Sequence, residues 1–179
     1  EKDDIYCEFE EDIFQKNNYD KVLKFRQIKL YSSNFSFSSD EIKKCISNFF
    51  MLSIKSDYND FTKEFIFETN TKVAAQYTDN DAELLKEWVD NQHNLTEEKL
   101  GRFSEKVKEI VTEYVYKQKN SIKENEAVSE AFGIFQKLED SFWKDFTKQI
   151  RWKFIGESPD IEFSNVKKKY RKPNFSTLF

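Results

Sequence analysis

The sequence predicts an α/β domain in which a mixed sheet of about four strands forms first and long helices follow. Three observations carry this. Runs rich in aromatic and β-branched residues, punctuated by polar turn signals, occupy much of residues 1–75. From about 79 to 150 the apolar residues recur instead at helical spacing. The short run Trp152-Lys153-Phe154-Ile155 then reads as a return to the sheet. The expected organisation is one domain over 1–179, with a sheet core at 1–75 plus 150–160 and a helical insertion at 79–150.

Ile5 to Phe14 is strand-like and is followed by Asn17-Asn18-Tyr19-Asp20, residues that favour a turn. Val22 to Tyr31 is strand-like again, so the two runs read as an antiparallel hairpin. Ser39 or Asp40 can cap a helix over about 40–54, where Ile42, Cys45, Ile46, Phe49, Phe50 and Leu52 make a buried face. Lys63 to Asn70 alternates and predicts a third strand. Helices are expected over about 80–91, 96–119 and 124–150, the last carrying Phe132, Phe135, Leu138, Phe142 and Phe146. Gly156-Glu157-Ser158-Pro159 reads as a turn, and Asp160 onward as an N-capped element.

The chain lacks Met at position 1 and ends on Leu178-Phe179 in mid-pattern, so it is expected to be part of a longer multidomain polypeptide. With 38% hydrophobic and 35% charged residues it has the balance of a soluble domain. No uncharged stretch approaches the roughly 18 residues of a membrane span, so no membrane association and a cytoplasmic location are expected. Cys7 and Cys45 lack the spacing of a zinc or redox pair and read as buried thiols, and His93 cannot build a histidine metal site alone. A formal net charge of −4 argues against a general electrostatic binder of nucleic acid. It is compatible with an enzyme that gathers cations in one groove and acids in another.

Strand parity places Leu23, Phe25, Gln27, Lys29 and Tyr31 on one face and Lys24 and Arg26 on the other. In the preceding run it groups Glu8, Glu10 and Asp12 and sends Glu11 the opposite way. A carboxylate can therefore oppose the Gln-x-Lys pair across the hairpin. Phosphodiester hydrolysis needs such a set: carboxylate and amide oxygens bind a hard divalent cation, and an amine places water or neutralises developing charge. By spacing alone, the wet face of a hairpin accounts for the same residues better than a metal site does.

The succession Glu8-x-x-Glu11-Asp12-Ile13, turn, Phe25-Arg26-Gln27-Ile28-Lys29, capped helix, then Phe65-Ile66-Phe67-Glu68-Thr69-Asn70 resembles a known family. It is similar to the double-stranded DNA endonuclease domain of bacterial anti-phage effectors, the SAVED-linked CBASS and STAND-linked AVAST nucleases. These are PD-(D/E)XK proteins with an Asp on one hairpin strand and Gln-x-Lys on the next. Ile150-Arg151-Trp152-Lys153-Phe154 and Asp160-Ile161-Glu162 resemble the family's strand and helix after a helical insertion.

The resemblance implies a restriction-endonuclease-like mixed sheet with a large helical insertion, acting on double-stranded DNA. It assigns Asp12, Gln27 and Lys29 to catalysis, and Asp12, Gln27 and the accessory acid Glu8 to Mg²⁺, with Mn²⁺ as a substitute. A C-terminal sensor or NTPase domain in the same polypeptide, and self-association on activation, are implied as well. The family's usual first helix, which packs beside the site, has no counterpart in the sequence.

Elsewhere, Lys167, Lys168, Lys169 and Arg171 form a basic run that fits either a DNA backbone or a solvated helix face. The Phe132 to Phe146 stripe reads as core. Thr69-Asn70 fits a phosphate contact or a strand-ending turn equally. Two other readings stay open: a non-catalytic oligomerisation or interaction module on a degenerate nuclease fold, and cleavage of RNA or of one DNA strand.

Overall fold

The computed structural model describes residues 4–9, 12–17, 20–75, 80–121 and 126–156, with the side chains of residues 4–15, 57, 118–121 and 126–129 outside that description. Five strands form one mixed sheet in the order β1-β2-β3-β4-β5. They are β1 (Asp4–Phe9), β2 (Asp12–Asn17), β3 (Val22–Lys29), β4 (Thr62–Thr69) and β5 (Ile150–Phe154). β1, β2 and β3 pair antiparallel. β3 with β4, and β4 with β5, pair parallel.

Parallel neighbours need a crossover. α1 (Asp40–Ser53) and a single 3-10 turn (Ser56–Tyr58) supply it between β3 and β4. α2 (Asn80–Asn91), α3 (Glu97–Ser121), α4 (Glu126–Phe135) and α5 (Asp140–Gln149) lie between β4 and β5. What reads in sequence as an insertion is thus the second crossover of the sheet.

The β2–β3 connection is closed by its own side chains. Asn17 Oδ1 accepts the Asp20 N–H at 2.9 Å and Asn17 Nδ2 donates to Asp20 Oδ2 at 3.0 Å, an Asx-type turn. Lys21 takes a left-handed φ of 52°, and its carbonyl accepts the Thr62 N–H at 2.8 Å, tying the turn to the start of β4.

β3 obeys the expected alternation. Leu23, Phe25 and Gln27 are buried, while Lys24 and Arg26 pair with Glu64 and Glu68 at 3.1 and 3.6 Å. The buried face meets α1 through Ile42, Cys45, Ile46, Phe49 and Phe50. Phe65 is fully enclosed, stacked on Phe25 at 5.4 Å and on Phe49 at 5.1 Å, with Phe146 edge-on at 5.6 Å. A second aromatic nest sets Trp88 on Phe103 and against Trp152, both at 5.2 Å. Such pairs add about 0.5–1.5 kcal/mol each beyond their buried area. Phe135, Phe142 and Phe146 surround Phe50, so that stripe is core. Cys45 is a buried free thiol, and His93 is exposed. Among the described residues no helix is long and apolar enough to cross a membrane.

Three expectations change. The strand expected over 5–14 is two strands, β1 and β2, so the sheet has five strands rather than four. The break falls on Glu10-Glu11, which carry none of the Gly, Asn or Pro that flag a turn. The helix expected over 124–150 is α4 and α5. Between them Lys137 and Leu138 donate their N–H groups to Ile134 and Phe135 carbonyls at 2.9 and 3.2 Å, a tightening that keeps the apolar period in phase. Ser39 does occupy the N-cap of α1, but no side chain caps the helix. Its hydroxyl accepts the Ser36 N–H at 3.0 Å instead.

Replacing Phe65 by Ala should cost about 3–5 kcal/mol, read as a lowered urea midpoint. A loss under about 1 kcal/mol would mean that this ring does not hold sheet and helices together.

Candidate active site

The sequence-predicted residues meet where β2 begins and β3 ends. In register, Asp12 stands directly opposite Gln27. Phe9 of β1 is the other neighbour of Asp12, and the β1–β2 register is irregular between Tyr6 and Phe9. Glu8 therefore belongs to the strand beside Asp12. The shared-strand parity that grouped the two acids does not apply, because the chain reverses between them. The side chains of Glu8 and Asp12 lie outside the described residues, as do Cys7, Lys167, Lys168, Lys169 and Arg171.

Gln27 is the informative member of the set. Only 8% of it is exposed, and its Oε1 is fully buried with no hydrogen-bond partner among the described residues. Leaving an amide oxygen so costs about 1–3 kcal/mol, and native folds rarely tolerate it without water, an ion or a functional reason. A carbonyl oxygen is also a donor that a hard divalent cation accepts. The residues therefore fit a cation held between the end of β3 and the start of β2. Among the described residues no group of three His, Cys, Asp or Glu side chains is placed to bind a metal.

Lys29, half-buried, follows two residues on and is in register with Thr69 of β4. Thr69 is fully buried, its hydroxyl 3.3 Å from that of Thr71. Gln27, Lys29 and Thr69 thus gather at the C-terminal ends of parallel strands, the usual place for ligands in open α/β sheets. The carboxylate-rich groove beside α2 and α3 is a weaker cation site. Lys106 Nζ already engages two of its four carboxylates, Asp81 at 2.9 Å and Glu109 at 3.2 Å.

The sequence did not single out how the end of β3 is held. Asn70 Oδ1 accepts the Tyr31 N–H at 2.9 Å and Asn70 Nδ2 donates to the Tyr31 carbonyl at 3.1 Å. One side chain thereby clamps both backbone groups two residues beyond Lys29. Ile155 N–H binds the Thr69 carbonyl at 2.9 Å, which joins the end of β5 to the same point. An Asn directly after an alternating strand was the available signal, and its amide serves the backbone. Lys24 and Arg26 serve the opposite face, as expected.

No protein-family profile matches the chain, and neither the curated proteins nor the solved structures supply a match.

Two outcomes follow. Gln27→Met should leave stability in metal-free buffer within about 1 kcal/mol of wild type, because the lost oxygen has no donor; a loss of about 3 kcal/mol would reveal a structural bond at this amide. Asn70→Ala should speed hydrogen exchange at the Tyr31 amide about tenfold, a net hydrogen bond of about 1.4 kcal/mol, whereas unchanged exchange would show that the clamp does not fix this backbone.

Proposed function

We propose that this chain is a metal-dependent nuclease domain of the PD-(D/E)XK type, hydrolysing phosphodiester bonds of double-stranded DNA as the effector of a bacterial anti-phage protein. One observation carries the reading: Asp12 lies opposite Gln27 across a hairpin whose second strand delivers Lys29, and the Gln27 oxygen is buried without a donor. The order of elements supports it too, a three-strand meander followed by a helical crossover into a parallel strand.

In this reading Asp12 and the Gln27 carbonyl hold Mg²⁺, or Mn²⁺ in its place, with Glu8 on the neighbouring strand as an accessory acid. The bound cation supplies Lewis-acid polarisation of the phosphate and a water of lowered pKa. Lys29 presents a compact amine head on a flexible stem, with up to three donors. It orients the attacking water and meets the charge that gathers on the phosphoryl oxygens. Asn70 and Thr69 hold the strand ends so that this amine does not drift, since misplacement of about 1 Å can cost on the order of a hundredfold in rate. No side chain becomes covalently attached to the substrate. A C-terminal sensor or NTPase domain that gathers copies in the cytoplasm would keep the site silent until infection, with Lys167, Lys168, Lys169 and Arg171 as backbone contacts.

Plasmid degradation by the full-length, activated protein with Mg²⁺ tests this. Lys29→Ala and Asp12→Ala should each lower cleavage by about 10²–10³ or more. Unchanged cleavage in both variants would show that the site is elsewhere, and a wild type that cuts no nucleic acid would favour a non-catalytic interaction module.

A further inference from the structure

A second groove opens at the other end of the sheet, where β3, β4 and β5 begin. It encloses about 470 Å³, within the usual range for a small-molecule site. Along β3 the groove's Lys24 and the candidate site's Gln27 are three residues, about 10 Å, apart, and strand alternation puts their side chains on opposite faces of the sheet. Four cations line it, Lys24, Lys63, Lys148 and Arg151, against the two carboxylates Asp20 and Glu64. Its formal charge is therefore 4 − 2 = +2, in a chain whose net charge is −4.

The carboxylates are already engaged. Asp20 closes the β2–β3 turn on Asn17, and Glu64 pairs with Lys24 at 3.1 Å. Among the described residues Lys148 has only a long contact of 3.5 Å to Asp145, with half of its side chain exposed. Arg151 is held by Nη1, which donates to the Lys148 and Ile150 carbonyls at 2.7 and 3.1 Å. Those bonds orient the guanidinium while its remaining donors, among the described residues, have no acceptor. Lys63 Nζ donates to the Ser53 carbonyl at 2.6 Å. The oxygen Oε1 of Gln149, also in the lining, is buried without a partner.

We propose that this groove is a binding site for a small phosphorylated molecule. Lys148 and Arg151 take the phosphoryl oxygens, and the Gln149 amide receives a hydroxyl or N–H of the ligand. Arg151 suits the role because its fork matches two phosphate oxygens at once. The volume matches a small ligand, and a nucleic-acid backbone laid across Lys148 is the competing outcome of the test.

Burial lowers the Lys63 pKa below its ordinary value. An anion beside it favours the charged form and raises that pKa again.

Calorimetric titration of the protein with pyrophosphate, at fixed ionic strength and with EDTA to remove divalent cations, reads all of this. Saturable one-site binding is expected. Lys148→Gln and Arg151→Gln should each weaken it about tenfold, the worth of one charge-assisted hydrogen bond. Lys29→Ala at the other end of β3, and the exposed Lys108→Gln, should leave it unchanged. Because Arg151→Gln loses two carbonyl contacts, the Lys148→Gln result and a matched unfolding curve decide between a binding defect and a folding defect. Binding that does not saturate, or that both groove variants retain in full, would overturn the proposal. So would a DNA duplex bound through Lys148 by a protein that ignores pyrophosphate.

Discussion

The register of β2 against β3 is the constraint from which the candidate site follows. Slipping an antiparallel pair by one residue sends every side chain to the other face. β3 itself is fixed by its pairing with β4, which keeps Lys24 and Arg26 beside Glu64 and Glu68 and away from Phe49, Phe65 and the other rings of the core, so β2 aligns on a strand that cannot turn over. The Asn17–Asp20 turn and the bond from Thr62 to Lys21 fix the hairpin at its closed end. The open end then has only one alignment, with Asp12 opposite Gln27. Core packing and site geometry are one decision. A polar pair whose position serves the core alone would not leave a buried amide oxygen without a partner, and Gln27 does.

The two parallel pairings extend this logic. β3 and β4 are joined through α1, and β4 and β5 through four helices, so the C-terminal ends of three strands come together beside the hairpin mouth. Asn70 and the Thr69 carbonyl then stitch those ends to Tyr31 and Ile155. The helices between β4 and β5 do more than decorate the fold. Their aromatic residues, Trp88, Phe103, Trp143 and Phe146, close the core over β4 and β5, which keeps the strand ends level.

Much of the core was legible because it is written in local periodicity. The alternation of β3 and the face of α1 followed from residue spacing, and Leu23, Phe25, Ile42, Cys45, Ile46, Phe49 and Phe50 are all buried. Two interruptions were not legible, at Glu10-Glu11 and at Gln136 to Glu139. Neither carries Gly, Pro or Asn, and across Gln136 to Glu139 the apolar period continues through Phe135, Leu138 and Phe142. For the site, sequence proximity misassigned Glu8 to the strand of Asp12, since parity is meaningful only within one uninterrupted strand. The Asn70 clamp and the Arg151 groove depend on contacts between residues 39 and more positions apart. No local pattern encodes those.

If Asp12 and Gln27 share a cation, the most direct test is to watch the metal arrive at Gln27. A titration with Mn²⁺ followed by nuclear magnetic resonance reports distance through paramagnetic broadening of individual amides. The account predicts that the Gln27 side-chain amide and the backbone of Asp12 and Lys29 broaden first, at substoichiometric Mn²⁺, and that Asp12→Asn removes the effect. Broadening that begins instead at the Asp81–Glu109 groove, or that persists at Gln27 in Asp12→Asn, would contradict it.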